Sequence, residues 1–208
     1  MNELDVEILE RKTVFKGYFQ IDRYRVRHRK FEGGWTGEVV REVFERGHAV
    51  GVLLYDPLRD EVVLIEQFRV GALAAGRPPW LLEVVAGIIG PGETEEDVAR
   101  RETIEETGCI AAEIVKIGNY LVSPGGTSES VTLYCARVEA DRAGGIHGLD
   151  HEDEDIKVLV MAADKALALL DSEGLDNSAI LIALGWLGRN RDRLRRSWLG
   201  VGQIPAAR

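Results

Sequence analysis

The sequence predicts an α/β (α+β) protein: a mixed sheet with helices on its faces, preceded by a short β-rich region. Three observations predict it. Apolar strand-like runs alternate with helical segments after about residue 47. The stretch before that point is rich in charge and alternates with period two. Between them in character stands one helix with a start and a stop signal, running from Thr94 to Gly108. Alternation of this kind is how a layered α/β domain reads in one dimension.

In chain order, Tyr24-Arg-Val-Arg-His-Arg29 and Val39-Val-Arg-Glu-Val-Phe44 read as strands, joined by a turn at Glu32-Gly-Gly-Trp-Thr-Gly37. Ala49 to Tyr55 is a buried strand. Asp56-Pro57 opens a turn, and Glu61 to Ile65 returns as a hairpin partner. Leu81 to Val85, Ile114 to Val122, Ser130 to Val138 and Ile156 to Met161 read as further strands. Ala162 to Leu170 and Asn177 to Arg196 read as helices, the second with an apolar stripe at Ile180, Leu184 and Leu187. His147 reads as a turn residue among glycines. The five arginines from Arg189 to Arg196 read as a solvated helix end that complements the dipole. Trp35, Trp80, Trp186 and Trp198 read as packing groups. The domain boundary falls near residue 47: residues 1–47 form a β region too small to bury its own apolar side, and residues 48–208 form the main domain.

Composition narrows the function classes. A chain of 208 residues, 45% apolar and 29% charged, is an ordinary globular protein. A net charge of −9 argues against a nucleic-acid partner. No apolar run is long enough to span a bilayer, and the N-terminus has no secretory pattern. Two cysteines, Cys109 and Cys135, make no disulfide framework, so a reducing, cytoplasmic location is expected.

The chemistry is concentrated in Gly87-Ile-Ile-Gly-Pro-Gly-Glu93 and Arg101-Glu-Thr-Ile-Glu-Glu-Thr-Gly-Cys109, separated by seven residues. Thr94 and Asp97 form a capping-box variant at the helix start, and Gly108 suits a left-handed residue past its end. Glu102, Glu105 and Glu106 stand at i, i+3 and i+4, on one helical face. Bare carboxylates that close repel one another by a few kcal/mol at an effective dielectric of about 20. Such an oxygen-rich cluster suits a hard cation, Mg²⁺ or Mn²⁺. Arg101, four residues before Glu105, is placed to orient it. A solvated acidic face is the alternative for an isolated ExxEE, but the fixed glycines, Glu93 and Arg101 favour a metal site.

This pattern resembles the signature box of the Nudix hydrolases, with one departure: Thr103 stands where a large aliphatic residue is usual. The resemblance implies an α/β/α sandwich. Pro79-Trp-Leu-Leu-Glu-Val-Val-Ala-Gly87, Ser123-Pro-Gly-Gly-Thr-Ser-Glu129 and Gly144-Gly-Ile-His-Gly148 with Glu152-Asp-Glu-Asp155 resemble the bacterial ADP-ribose pyrophosphatases, over residues 45 to 190. In that family ADP-ribose is hydrolysed with Mg²⁺ to AMP and ribose 5-phosphate by homodimers whose N-terminal β regions help build the adenine pocket. The resemblance implies metal ligation by the Ala86 carbonyl, Glu102 and Glu106, with Glu105 assisting or binding another ion. It implies phosphate or ribose contact by Arg69, and a substrate loop at Gly125 and Gly126 whose Glu129 meets the terminal ribose. Tyr18 and Arg41 are candidates for the adenine site. The resemblance also implies that the acidic loop supplies the catalytic base, Glu152 or Glu154, with Glu105 as the fallback. Two alternatives stay open: hydrolysis of another nucleoside diphosphate derivative (a nucleotide sugar, NADH, a dinucleoside polyphosphate), or a non-catalytic ADP-ribose sensor, a role disfavoured by the intact glutamates.

Overall fold

The computed structural model describes residues 5–149 and 153–199. The chain divides into two compact units, one holding residues up to His48 together with Leu121–Ser130, the other holding Ala49–Tyr120 and the residues from Val131 on. The loop Leu121–Ser130 thus groups with the N-terminal β region rather than with the segment that flanks it in sequence.

The first unit is a three-stranded antiparallel sheet, β1 (Val6–Lys16), β2 (Gln20–His28) and β3 (Val39–Glu45), in the order β1-β2-β3. Sequence periodicity indicated β2 and β3 but not β1, whose alternation is blurred by register shifts between Ile8 and Glu10 and between Thr13 and Phe15. Buried Asp22 holds the sheet, accepting hydrogen bonds from Arg11 Nε (2.8 Å), Thr13 Oγ1 (2.7 Å) and Gln20 Nε2 (2.8 Å). The loop of residues 121–130 is fastened to β3. Phe44 N–H donates to the Gly126 carbonyl at 2.8 Å, Thr127 Oγ1 donates to the Phe44 carbonyl at 2.9 Å, and Ser128 bonds Glu45.

The second unit is built on an eight-stranded mixed sheet. Its strands are β4 (Ala49–Asp56), β5 (Glu61–Phe68), β6 (Trp80–Glu83), β7 (Val85–Ile88), β8 (Ile114–Leu121), β9 (Ser130–Arg137), β10 (Gly145–His147) and β11 (Ile156–Ala162). The main path is β10-β11-β5-β4-β9-β8, with β4 and β9 parallel. The expected hairpin is present: β4 and β5 pair from Leu54↔Val63 to Asp56↔Glu61, and Asp56 Oδ1 accepts from Leu58 and Arg59 N–H to form the turn.

The run Leu81 to Val85, expected as one strand, is two. Beyond their shared end β4 and β5 part, and the chain fills the fork: β6 pairs with β5 (Ile65↔Glu83), then β7 pairs with β4 (Val52↔Val85). This crossing at Val84 puts Ala86 and Gly87 on a strand directly facing β4. His147 is likewise not in a turn but on β10, paired with Ile156 of β11.

Alternate residues of β4 face opposite layers, as a sheet covered on both sides requires. Val52 and Leu54 pack with Val98 and Ala99 of α2 (Glu95–Thr107). Leu53 and Tyr55 pack with Ala163 and Ala166 of α3 (Ala163–Ala168) and Ile180, Leu184 and Leu187 of α4 (Ser178–Leu199). The five-residue helix α1 (Val70–Ala74) buries nothing and has no signal in the sequence. Helix α3 stops at Ala168, before a 3₁₀ turn at Leu169–Asp171. The arginines of α4 are not all solvated: Arg191 and Arg195 are ion-paired with Asp60 of the β4–β5 turn, and Arg193 stacks over Trp186. This unit is the expected α/β/α sandwich.

Candidate active site

Helix α2 is set by its caps. Thr94 Oγ1 accepts from Asp97 N–H (3.2 Å), and Asp97 Oδ2 accepts from Thr94 N–H (3.1 Å), which closes the capping box. Gly108 ends the helix with φ of 70°, a left-handed conformation glycine adopts without strain. Thr103, the departure from the aliphatic pattern, is fully buried, and its hydroxyl donates to the Ala99 carbonyl at 2.6 Å. The polar group is therefore satisfied within the helix, and its position on the core face is unchanged.

The adjoining face of α2 lies against β7. The Ala86 N–H donates to Glu106 Oε2 at 3.1 Å. A methyl carbon built on Gly87 would sit 1.8 Å from Glu102 Oε1, so only glycine leaves room for that carboxylate against the strand. At Gly90 the same carbon would sit 2.7 Å from Glu93 Oε2, which accepts from the Gly90 N–H at 2.9 Å. Two glycines of the motif are thus cradles for two of its glutamates.

Arg101 binds three carboxylates at once: Glu93 Oε1 (2.9 Å), Glu102 Oε1 (2.7 Å) and Glu105 Oε2 (2.9 Å). Hydrogen bonding from Arg101 holds the Glu93 carboxyl below its ordinary range. Burial pushes Glu102 up, against the pull of Arg101. Glu106 has no such cation. It is only 3% exposed, and burial, aided by the nearby charges of Glu102 and Glu154, pushes its pKa up to about 9. A carboxyl in that setting is protonated at neutral pH unless a cation arrives.

Arg69 stands at the end of β5 with Nε and Nη2 on Glu83 Oε2, at 3.0 and 2.8 Å. Burial opposes its charge, but Glu83 keeps its pKa raised, and Glu106 and Glu154 add to that effect. Glu154 turns toward its own loop, where its carboxylate accepts from Leu149 N–H at 3.3 Å. Glu152, the other candidate base, lies outside the described residues.

The structure therefore gathers Ala86, Glu102 and Glu106 around one strand–helix contact, with Glu105 joined to Glu102 through Arg101, and Glu154 and Arg69 are near enough to act on Glu106 electrostatically. Tyr18, Arg41, Gly125, Gly126 and Glu129 belong to the first unit. There Tyr18 is 91% exposed and stacks edge-on with Phe19. Arg41 lies on β3 opposite Tyr24 and donates to the Val40 carbonyl. Gly125 and Gly126 form the loop fastened to Phe44, and Glu129 is buried with Arg46 Nε 3.6 Å away. Two residues without a role assigned from sequence stand behind Arg69: Glu83 is its partner, and Asn177 donates in turn to Glu83. The available signal was a single glutamate in the apolar run Trp80-Leu-Leu-Glu-Val-Val85.

Among the described residues no three candidate ligands already converge as a coordination shell; Arg101 holds Glu102 and Glu105, and Glu106 leans on the strand. The donor set nonetheless fits a hard divalent cation. It is all oxygen, Gly87 provides the room, and Glu106 is a buried carboxyl lacking a positive partner at hydrogen-bonding distance.

A NUDIX domain model matches residues 45–180. The chain belongs to the NUDIX family. It is 50% identical over 194 residues to the ADP-ribose pyrophosphatase of Escherichia coli K12, covering 93% of each chain. To the ADP-ribose pyrophosphatase of Haemophilus influenzae it is 40% identical, over 95% of this chain and 92% of that one. A GDP-mannose pyrophosphatase of an Enterobacter species is 35% identical, over 88% and 95%. The crystal structure of an ADP compounds hydrolase shares the fold, with a TM-score of 0.67 at 22% identity, over 90% of this chain and 97% of that one.

The titration of Glu106 has a measurable consequence. Its folded, cation-free pKa lies above the ordinary value of 4.5 at about 9, so folding favours the protonated form. That contribution is whole below the unfolded pKa and is lost as pH rises through the folded one. Cation-free stability, followed by urea unfolding in chelator, should therefore fall between pH 5.5 and pH 8. Glu106→Gln should flatten that slope and be at least as stable as wild type at pH 8. Added Mg²⁺ should stabilise wild type at pH 8 and release protons on binding, with the variant responding weakly. An unchanged slope in the variant would show that Glu106 is not the group responsible.

Proposed function

We propose that this protein hydrolyses the diphosphate of ADP-ribose to AMP and ribose 5-phosphate, with Mg²⁺ as the cation and Mn²⁺ as a substitute. The observation that carries the proposal is the buried Glu106 set against the Ala86 backbone beside Glu102, with no cation at hydrogen-bonding distance and with Arg69, held on Glu83, near enough to act on it electrostatically. The 50% identity to a protein called ADP-ribose pyrophosphatase, across nearly the whole chain, points to the substrate. A divalent cation bound at Glu102, Glu106 and the Ala86 carbonyl, with Glu105 assisting, supplies neutralisation of the diphosphate and acidification of water. The chain's own residues do the rest. Arg69 holds the phosphates, and Glu154 or Glu152 takes the proton of the attacking water. Tyr18 and Arg41 contact adenine, while Gly125, Gly126 and Glu129 hold the terminal ribose.

A nucleotide-sugar substrate is the second possibility, favoured by the 35% identity to a GDP-mannose pyrophosphatase. A panel of ADP-ribose, GDP-mannose, ADP-glucose, NADH and diadenosine polyphosphates, assayed with Mg²⁺, separates the two. ADP-ribose should give the highest kcat/KM, with AMP and ribose 5-phosphate as products. A tenfold preference for GDP-mannose would transfer the assignment to nucleotide sugars.

For the base, Glu→Gln at the correct position of the pair Glu152 and Glu154 should lower kcat by about 10²–10⁴-fold with little change in KM. The other variant should have a smaller effect, or one mainly on cation affinity. If both keep kcat within a few-fold of wild type, Glu105 becomes the candidate.

The protein acts as a homodimer through its N-terminal β region. Supporting this, β1 leaves Ile8 64% and Phe15 60% exposed, more apolar surface than three strands cover by themselves. Sedimentation at micromolar concentration should give twice the chain mass, and removal of residues 1–47 should abolish the dimer. A stable full-length monomer would contradict it.

A further inference from the structure

Arg69 is a cation on an exposed strand end, and a free arginine there would spread over many rotamers. Its guanidinium is instead held on one edge: Nε and Nη2 both donate to Glu83 Oε2, at 3.0 and 2.8 Å. The same oxygen accepts from Gln67 Nε2 at 3.3 Å. The other oxygen, Oε1, accepts from Asn177 Nδ2 at 2.8 Å. Glu83 is 3% exposed, and each of its oxygens has a donor. Asn177 is itself fixed, because its Oδ1 accepts from the Ala179 and Ile180 N–H groups (2.8 and 3.4 Å) at the start of α4. The backbone of Arg69 is pinned as well, its N–H donating to the Pro79 carbonyl at 2.7 Å.

The outer edge of the guanidinium is open. Nη1 makes no hydrogen bond among the described residues, and the charge lies within reach of the fields of Glu106 and Glu154. Phosphate recognition by arginine depends on presenting a planar, two-toothed edge. Holding that edge in advance removes the rotamer entropy that binding would otherwise cost.

We infer that Glu83 is a positioning residue, locked by Asn177 at the start of α4, that fixes the Nη1 edge of Arg69 toward the diphosphate of the substrate. The inference rests on the hydrolysis proposed above for what Arg69 meets, and on the geometry alone for the clamp. Glu83 touches neither substrate nor cation. Its effect passes entirely through Arg69, and this distinguishes it from a residue that merely supports the sheet.

A double-mutant cycle tests it. Glu83→Gln keeps the volume and removes the charge that grips Arg69. In the otherwise wild-type protein it should lower kcat/KM for ADP-ribose about 10–100-fold, mainly through KM. In an Arg69→Ala background it should change kcat/KM by less than threefold. Asn177→Ala should show the same dependence on Arg69 with a smaller effect. The clamp is read separately from Arg69 Nε–H exchange in ¹⁵N-arginine-labelled protein, which should speed up at least tenfold in Glu83→Gln. Unchanged exchange, near wild-type kinetics in Glu83→Gln, or an equal loss in the Arg69→Ala background would each overturn the inference. Failure of the hydrolysis proposal would appear differently, as a wild-type protein inactive on ADP-ribose whose exchange rates still respond to Glu83.

Discussion

The close approach of α2 to the backbone of β7 is the constraint on which the site depends. Glu102 lies where any side chain at position 87 would be, and Glu106 takes its hydrogen bond from Ala86 N–H. That contact requires β7 to be parted from β6 and paired with β4, so that its Ala86–Gly87 segment is held from the far side by Gly51 and Val50. It also requires α2 to start and stop at fixed points, which the Thr94–Asp97 box and Gly108 provide. A shift of one residue in the helix would rotate the glutamates by about 100° and put them into the core.

Much of this was legible in the sequence because it is local. A capping box, a left-handed glycine and carboxylates at i, i+3 and i+4 are written in consecutive residues, and the structure places them as that spacing demands. The β4–β5 hairpin was equally plain. What escaped notice depends on distant partners. Leu81 to Val85 has the composition of one strand; it becomes two only because β4 and β5 diverge, a tertiary event. Arg191 is charged and close to a helix end, yet its partner, Asp60, is 131 residues away. The lock on Arg69 has the same character, since Asn177 reaches Glu83 across 94 residues. The register irregularities of β1 hid a strand, and a three-residue strand such as β10 is too short for periodicity to mark.

The two arginines beside the site divide the electrostatic work. Arg101 neutralises the outer carboxylates, Glu93, Glu102 and Glu105, and so lets α2 fold with an acidic face in the absence of a cation. Arg69 is held on Glu83 and kept at hydrogen-bonding distance from none of the box glutamates. Were either arginine paired directly with Glu106, the result would be a buried ion pair, self-satisfied and slow to yield to a cation. Glu106 is left with one backbone donor and no counter-ion at contact distance, so the cation-free state is held below the stability it could have had. The same feature would make the position responsive: a divalent cation arriving there would replace a proton and meet no guanidinium at hydrogen-bonding distance from Glu106. Sites that bind charge strongly are often those a protein leaves uncompensated. In a chain of net charge −9, the scarcity of cations around Glu106 is then a local arrangement of its few neighbouring arginines, each already committed to another carboxylate.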